Sequence, residues 1–123
     1  MADGMSAAGA NTMLDSLVAA YSWVKLHTGA PGAAATSNAA TETTRKQPTF
    51  AAASAGAVAS NGAISWTNIA GSEDATDFSV WTASSAGTFG WSGTITANAY
   101  TAGDTYTVAS GGLTASFVAV LAS

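Results

Sequence analysis

The sequence predicts a mainly β protein: an antiparallel β-sandwich or jelly-roll-like domain with one amphipathic helix near its N-terminus. Three observations carry that expectation. From Thr49 onward, short strand-like runs are separated by turn signals at close, regular intervals. Only one segment spaces its apolar residues as a helix does. The chain has 123 residues, the length of one domain, and can bury roughly two-thirds of its unfolded surface.

Residues 1–10 are small, Gly/Ala-rich and unpatterned, so they read as a flexible arm before a single domain spanning 11–123. Met13, Leu14, Leu17, Val18 and Tyr21 then recur at three- and four-residue steps, predicting a helix over about 12–22. Thr12 and Asp15 have the spacing of a weak capping pair. Trp23–His27 can alternate as a short strand, stopped by the turn chemistry of Thr28-Gly29-Ala30-Pro31-Gly32. A surface loop over about 28–47 follows; its stretch 33–44 has neither periodicity nor large apolar groups.

The sharpest turn signal is Ser60-Asn61-Gly62-Ala63. Asn-Gly suits the positive φ angles of a type I′ turn, which predicts a hairpin pairing Ala59 with Ile64 and Ala57 with Trp66. A second strand group follows the acidic Ser72-Glu73-Asp74, through Phe78–Trp81 and then Phe89, Trp91 and Thr94–Thr96. Gly90 and Gly93 mark bulges or close backbone approach within it. Ala102-Gly103-Asp104 turns the chain into Thr105–Val108, and Gly111-Gly112 turns it into a last strand. There Leu113, Ala115, Phe117, Ala119 and Leu121 alternate strictly, so one face should be buried with Trp66 and Val80 or Trp81.

Composition limits the partners. Only 8% of residues are charged, against about a quarter in ordinary soluble domains. The net charge of −4 sets seven acids against Lys25, Arg45 and Lys46, which is no match for a phosphate backbone, so no nucleic-acid partner is expected. So few charges suit a subunit packed against neighbours, and a homo-oligomer is expected. Four Trp, four Phe and three Tyr argue against disorder. The absence of cysteine excludes a disulfide framework and thiolate chemistry. No apolar run approaches the ~18 residues of a membrane span, so no membrane partner is expected. No basic segment opens the chain as in a secretory leader, so the product is expected to be made in a cytoplasm.

No catalytic, cofactor-binding or metal-ligating residues are expected. His27 is the sole histidine, lacks a nearby carboxylate or co-ligand, and reads as a residue that orients the following turn. Glu73, Asp74 and Asp77 could offer oxygens to a cation, but they lack the spaced pattern of a calcium loop and read as a solvated loop. Gly-x-Ser-x-Gly is absent, and the Gly-rich stretches lack the Lys-Ser/Thr of a phosphate-binding loop. Arg45-Lys46 is explained by an ion pair to Glu42 or to a neighbouring subunit. Trp66, Trp81 and Trp91 fall within strand alternation and read as core or subunit interface rather than a glycan platform.

The stretch Leu26-His27-Thr28-Gly29-Ala30-Pro31-Gly32 resembles a motif of small virion proteins of actinobacterial phages. The resemblance continues through Thr41–Lys46, Phe50–Ser54, Gly87-Thr88-Phe89 and Ala102–Thr107. It implies a non-enzymatic virion component with a β-sandwich. Chain shape favours a capsid decoration protein bound to the major capsid protein or other virion proteins on the outer head surface. A minor tail or fibre-tip module binding a host-surface glycan is the alternative.

Overall fold

The computed structural model describes residues 5–116 and is mainly antiparallel β with one helix, as the sequence predicts. The helix, α1, spans Ala7–Ala20. The strands are β1 (Trp23–His27), β2 (Thr49–Phe50), β3 (Ala57–Asn61), β4 (Ile64–Trp66), β5 (Glu73–Trp81), β6 (Phe89–Tyr100), β7 (Tyr106–Val108) and β8 (Thr114–Ser116). They form sheets of order β1-β5-β6, β2-β3-β8 and β4-β7, every pairing antiparallel. Val24, Leu26, Trp66, Ile69, Phe78, Val80 and Leu113 meet in one core contributed by several sheets.

The helix begins five residues earlier than predicted and ends two residues sooner. Ser6 caps it, its hydroxyl accepting the Gly9 N–H at 3.0 Å, and Ala10 is fully buried, so residues 7–10 belong to the helix and not to an arm. Thr12 is interior, and its hydroxyl donates to the Ala8 carbonyl. Asp15 turns outward and accepts the Ala53 N–H at 2.8 Å, while Asn11 accepts that of Gly56 at 3.0 Å. The two side chains dock the 53–56 segment onto the helix.

β1 occupies the predicted residues. It pairs with the middle of the largest sheet, from Trp23 opposite Trp81 to His27 opposite Asp77. The predicted 61–62 hairpin does not form. Gly62 has a positive φ of 95°, but Asn61 stays extended at the end of β3, opposite Thr49, whose hydroxyl donates to the Asn61 carbonyl at 2.7 Å. A type I′ turn needs positive φ at both residues. Here the chain instead crosses from one sheet to another: β3 pairs with β2 and β8, and β4 pairs with β7. Burial follows this arrangement, covering Val58 and Ser60 in β3 and Ile64 and Trp66 in β4.

Gly90 is the extra residue of a bulge, since Val80 faces Trp91 while Trp81 faces Phe89. A Cβ there would overlap the Tyr21 ring, which packs directly against the backbone at this point. Gly93 sits under the Phe78 ring in the same way, where a Cβ would come within 2.9 Å of ring carbons. The Gly103 and Gly111 turns form as predicted, both with positive φ. Leu113 is buried as expected; Phe117 and Leu121 lie outside the described residues.

Candidate functional site

Polar chemistry concentrates where the 28–47 segment folds back on β1 and β5. His27 is fully buried, and its Nδ1 lies 2.9 Å from the Ser37 carbonyl. A carbonyl only accepts, so Nδ1 carries the proton and Nε2 is left to accept. Ser79 Oγ, also fully buried, donates to it at 2.7 Å, and the same oxygen accepts the Trp81 indole N–H at 2.8 Å. Burial pushes the imidazole below its usual range, partly opposed by the Ser37 carbonyl. The ring is neutral at neutral pH.

A serine and a histidine at this distance could suggest a nucleophile and its base. Three features point the other way. The histidine is oriented by a backbone carbonyl rather than a carboxylate, Ser79 Oγ already holds the indole N–H, and neither side chain is exposed to a substrate. The predicted role of His27, orienting the turn after it, matches its bond to Ser37. Ser79 was not legible in the sequence because it lies 52 residues away on β5.

The charged residues of the segment also bond inward. Glu42 is buried; its carboxylate accepts the Ala70 N–H at 2.9 Å and that of Thr44 at 3.2 Å. Burial alone would raise its pKa, but these bonds and the Lys46 charge hold it below the usual carboxylate value. Arg45 does not turn to Glu42 as predicted. Its guanidinium lies 4.2 Å from the Trp81 ring centroid and donates to the carbonyls of Ala83 and Ala86, closing the turn between β5 and β6. The backbone donors near Glu42 and the open carbonyls near Arg45 are simply closer partners. Trp66 is core, its indole N–H donating to the Thr44 carbonyl, whereas Trp81 and Trp91 are half-buried.

The acidic residues of β5 do not converge. Glu73 accepts the Thr41 N–H, and Asp77 accepts the Thr76 hydroxyl. Among the described residues no three His, Cys, Asp or Glu side chains gather as a metal ion would require. Tyr100 Oη is buried without a partner among them, and burial, with the nearby Glu73 charge, pushes it up to about 12. Among the described residues, two recesses on the surface stand out. One, of about 580 Å3, lies between α1 and the 47–52 segment, lined by Asp15, Val18, Pro48 and Phe50. The other, of about 310 Å3, lies between β6 and β7 over Ile95, Tyr106 and Val108. Their lining is mostly apolar and hydroxyl groups, and the one carboxylate, Asp15, is engaged by the Ala53 N–H.

The model of a family described as Podophage GP4 fiber I protein gp80 matches residues 4–116. The chain belongs to that family. It is therefore a structural component of a phage virion, as the resemblance implied. The family's description agrees with the fibre assignment that the sequence carried as its alternative. No curated protein matches the chain. No helix among the described residues is long and apolar enough to cross a membrane.

Proposed function

We propose that this protein is a non-enzymatic fiber module of a podophage virion, assembled in the host cytoplasm through contacts with copies of itself and other virion proteins. The observation that carries this reading is the family match across residues 4–116. The structure adds two supports. The one histidine and its serine partner are sealed in the core, and five charged side chains are bound to loop backbones. What remains outside is a weakly charged surface of hydroxyl and small apolar groups, suited to packing against neighbours.

A second reading, decoration of the outer capsid surface against the major capsid protein, draws on chain shape. The described elements are short strands and one 14-residue helix, without the long coiled coil expected of a fiber shaft. Gold-labelled antibody on purified virions, with copy number from quantitative mass spectrometry, separates the two. Label on fibers with tens of copies per particle supports the fiber module; label over the whole head with hundreds of copies would replace it with decoration. Binding of the purified protein to host cells or cell-wall glycans would place the module at a fiber tip.

A further inference from the structure

The two edges of the β1-β5-β6 sheet are treated differently by the chain. The outer edge of β1 is covered by the returning 38–46 segment. Val24 and Lys46 exchange backbone bonds of 2.7 and 3.0 Å, Ala40 N–H donates to Leu26, and Thr28 N–H donates to Asn38. Among the described residues the outer edge of β6 is bare: the strand bonds along its backbone only to β5, and no side chain bonds to its backbone groups. Its sequence, FGWSGTITANAY, contains no charge and no proline. Proteins normally protect such an edge with lysine, proline or brevity, because its free N–H and C=O groups template another strand. β6 has 12 residues and two irregularities, the Gly90 bulge near its start and a register shift between Thr94 and Asn98, which leave Trp91–Thr94 as its longest regular stretch.

We infer that β6 is the edge to which a second copy of this chain adds, antiparallel about a two-fold axis. The two three-stranded sheets become one of order β1-β5-β6-β6-β5-β1. The inference deepens the assembly reading above, and rests on it, by naming the surface used. An antiparallel edge offers the same alternation of donors and acceptors to a copy of itself, so the contact is self-complementary. Head-to-tail use of the sheet is blocked, because the β1 edge is already occupied. Although each copy carries a net −4, the uncharged strands meet without like charges in register. Ser92, Thr94 and Thr96 are exposed on one face of β6 and would come beside hydroxyl residues of the copy, a favourable cross-strand pairing.

The test uses the full chain in sedimentation equilibrium, beside the double variants Ser92→Lys/Thr94→Lys and Ser92→Glu/Thr94→Glu. Both positions are exposed, so the fold should persist, and circular dichroism checks it. The expected result is a dimer, or a multiple of it, for the natural sequence. Association should weaken about tenfold or more in each variant and return when the two are mixed, because like charges across a strand pair repel and opposite ones attract. A monomeric natural chain, or variants that associate as it does, overturns the inference. Hydrogen exchange on the unmodified chain supplies a readout independent of the variants. Amides of 89–100 should gain protection as concentration rises, and protection that ignores concentration refutes the edge. These outcomes do not depend on virion labelling, so failure here and failure of the fiber assignment are distinguishable.

Discussion

Replacing Ser79 by alanine tests the buried triad with little change of volume. The substitution removes a donor from His27 Nε2 and an acceptor from the Trp81 indole N–H, at 2.7 and 2.8 Å. The two losses are unequal. Trp81 is half-buried, so its N–H can partly rehydrate, and that bond is worth about 1 kcal/mol. His27 is wholly buried, so a stranded ring nitrogen adds about 1–3 kcal/mol. The sum, about 2–4 kcal/mol, is a large share of the roughly 5–15 kcal/mol that stabilises a domain. Urea unfolding at pH 7.5 should show this loss, with a fall in Tm of roughly 10 °C. Because His27 also holds the Ser37 carbonyl, proteolytic cutting within residues 29–38 should accelerate. A loss below about 0.5 kcal/mol would mean that Ser79 and His27 are not bonded as described.

Other expectations follow from the same packing. Phe78 is fully buried and meets Trp91 edge-on at 5.3 Å, so Phe78→Ala should cost about 3–5 kcal/mol in chemical unfolding. Stability should fall in acid in two stages. In the unfolded chain His27 takes its proton near pH 6.5, but in the folded chain only at lower pH. Its contribution is therefore complete above 6.5 and lost as pH falls through the folded value, and His27→Gln should remove that stage. Glu42 acts similarly from about pH 4.5 downward, because its folded pKa is also lowered. Gly90→Ala should displace the Tyr21 ring and destabilise by more than about 1 kcal/mol, visible as a change in near-ultraviolet circular dichroism.

How far the sequence was legible depended on the range of each contact. Strand Trp23–His27 was readable because alternation and the Gly-Pro stop are local, and Trp66, Val80 and Leu113 were readable as core from apolar alternation. The start of the helix was missed because residues 7–10 offer small side chains and no apolar period; the available signal was Ser6 ahead of an alanine-rich stretch, since alanine is the best helix former. At Asn61-Gly62 the turn residue was identified correctly and the partner strands were not. Local chemistry sets a φ angle, but β3 chose β2 and β8 through contacts up to 59 residues away. The Ser79 bond to His27 and the Arg45 contact with Trp81 were out of reach for the same reason.

The chain's few charges bear on how such a protein can assemble. Asp15, Glu42, Glu73 and Asp104 each accept a backbone N–H, and Arg45 donates to two backbone carbonyls. In a protein without cysteine, these side chains fasten loops to the sheets, as disulfides do in other small domains. Charges engaged in this way are poorly placed to steer a partner, and no basic cluster is available to meet an acidic one. In the proposed assembly, contacts between copies draw on backbone pairing, hydroxyl groups and apolar surface, none of which weakens steeply as salt screens exposed charge. Acid should behave differently. Lowering the pH charges His27 and neutralises Glu42, which loosens the 28–47 segment while leaving the uncharged β6 edge chemically unchanged. Association measured against salt and against pH should therefore separate. It should be nearly flat from low to moderate salt at neutral pH, and lost in acid only where the fold itself begins to fail.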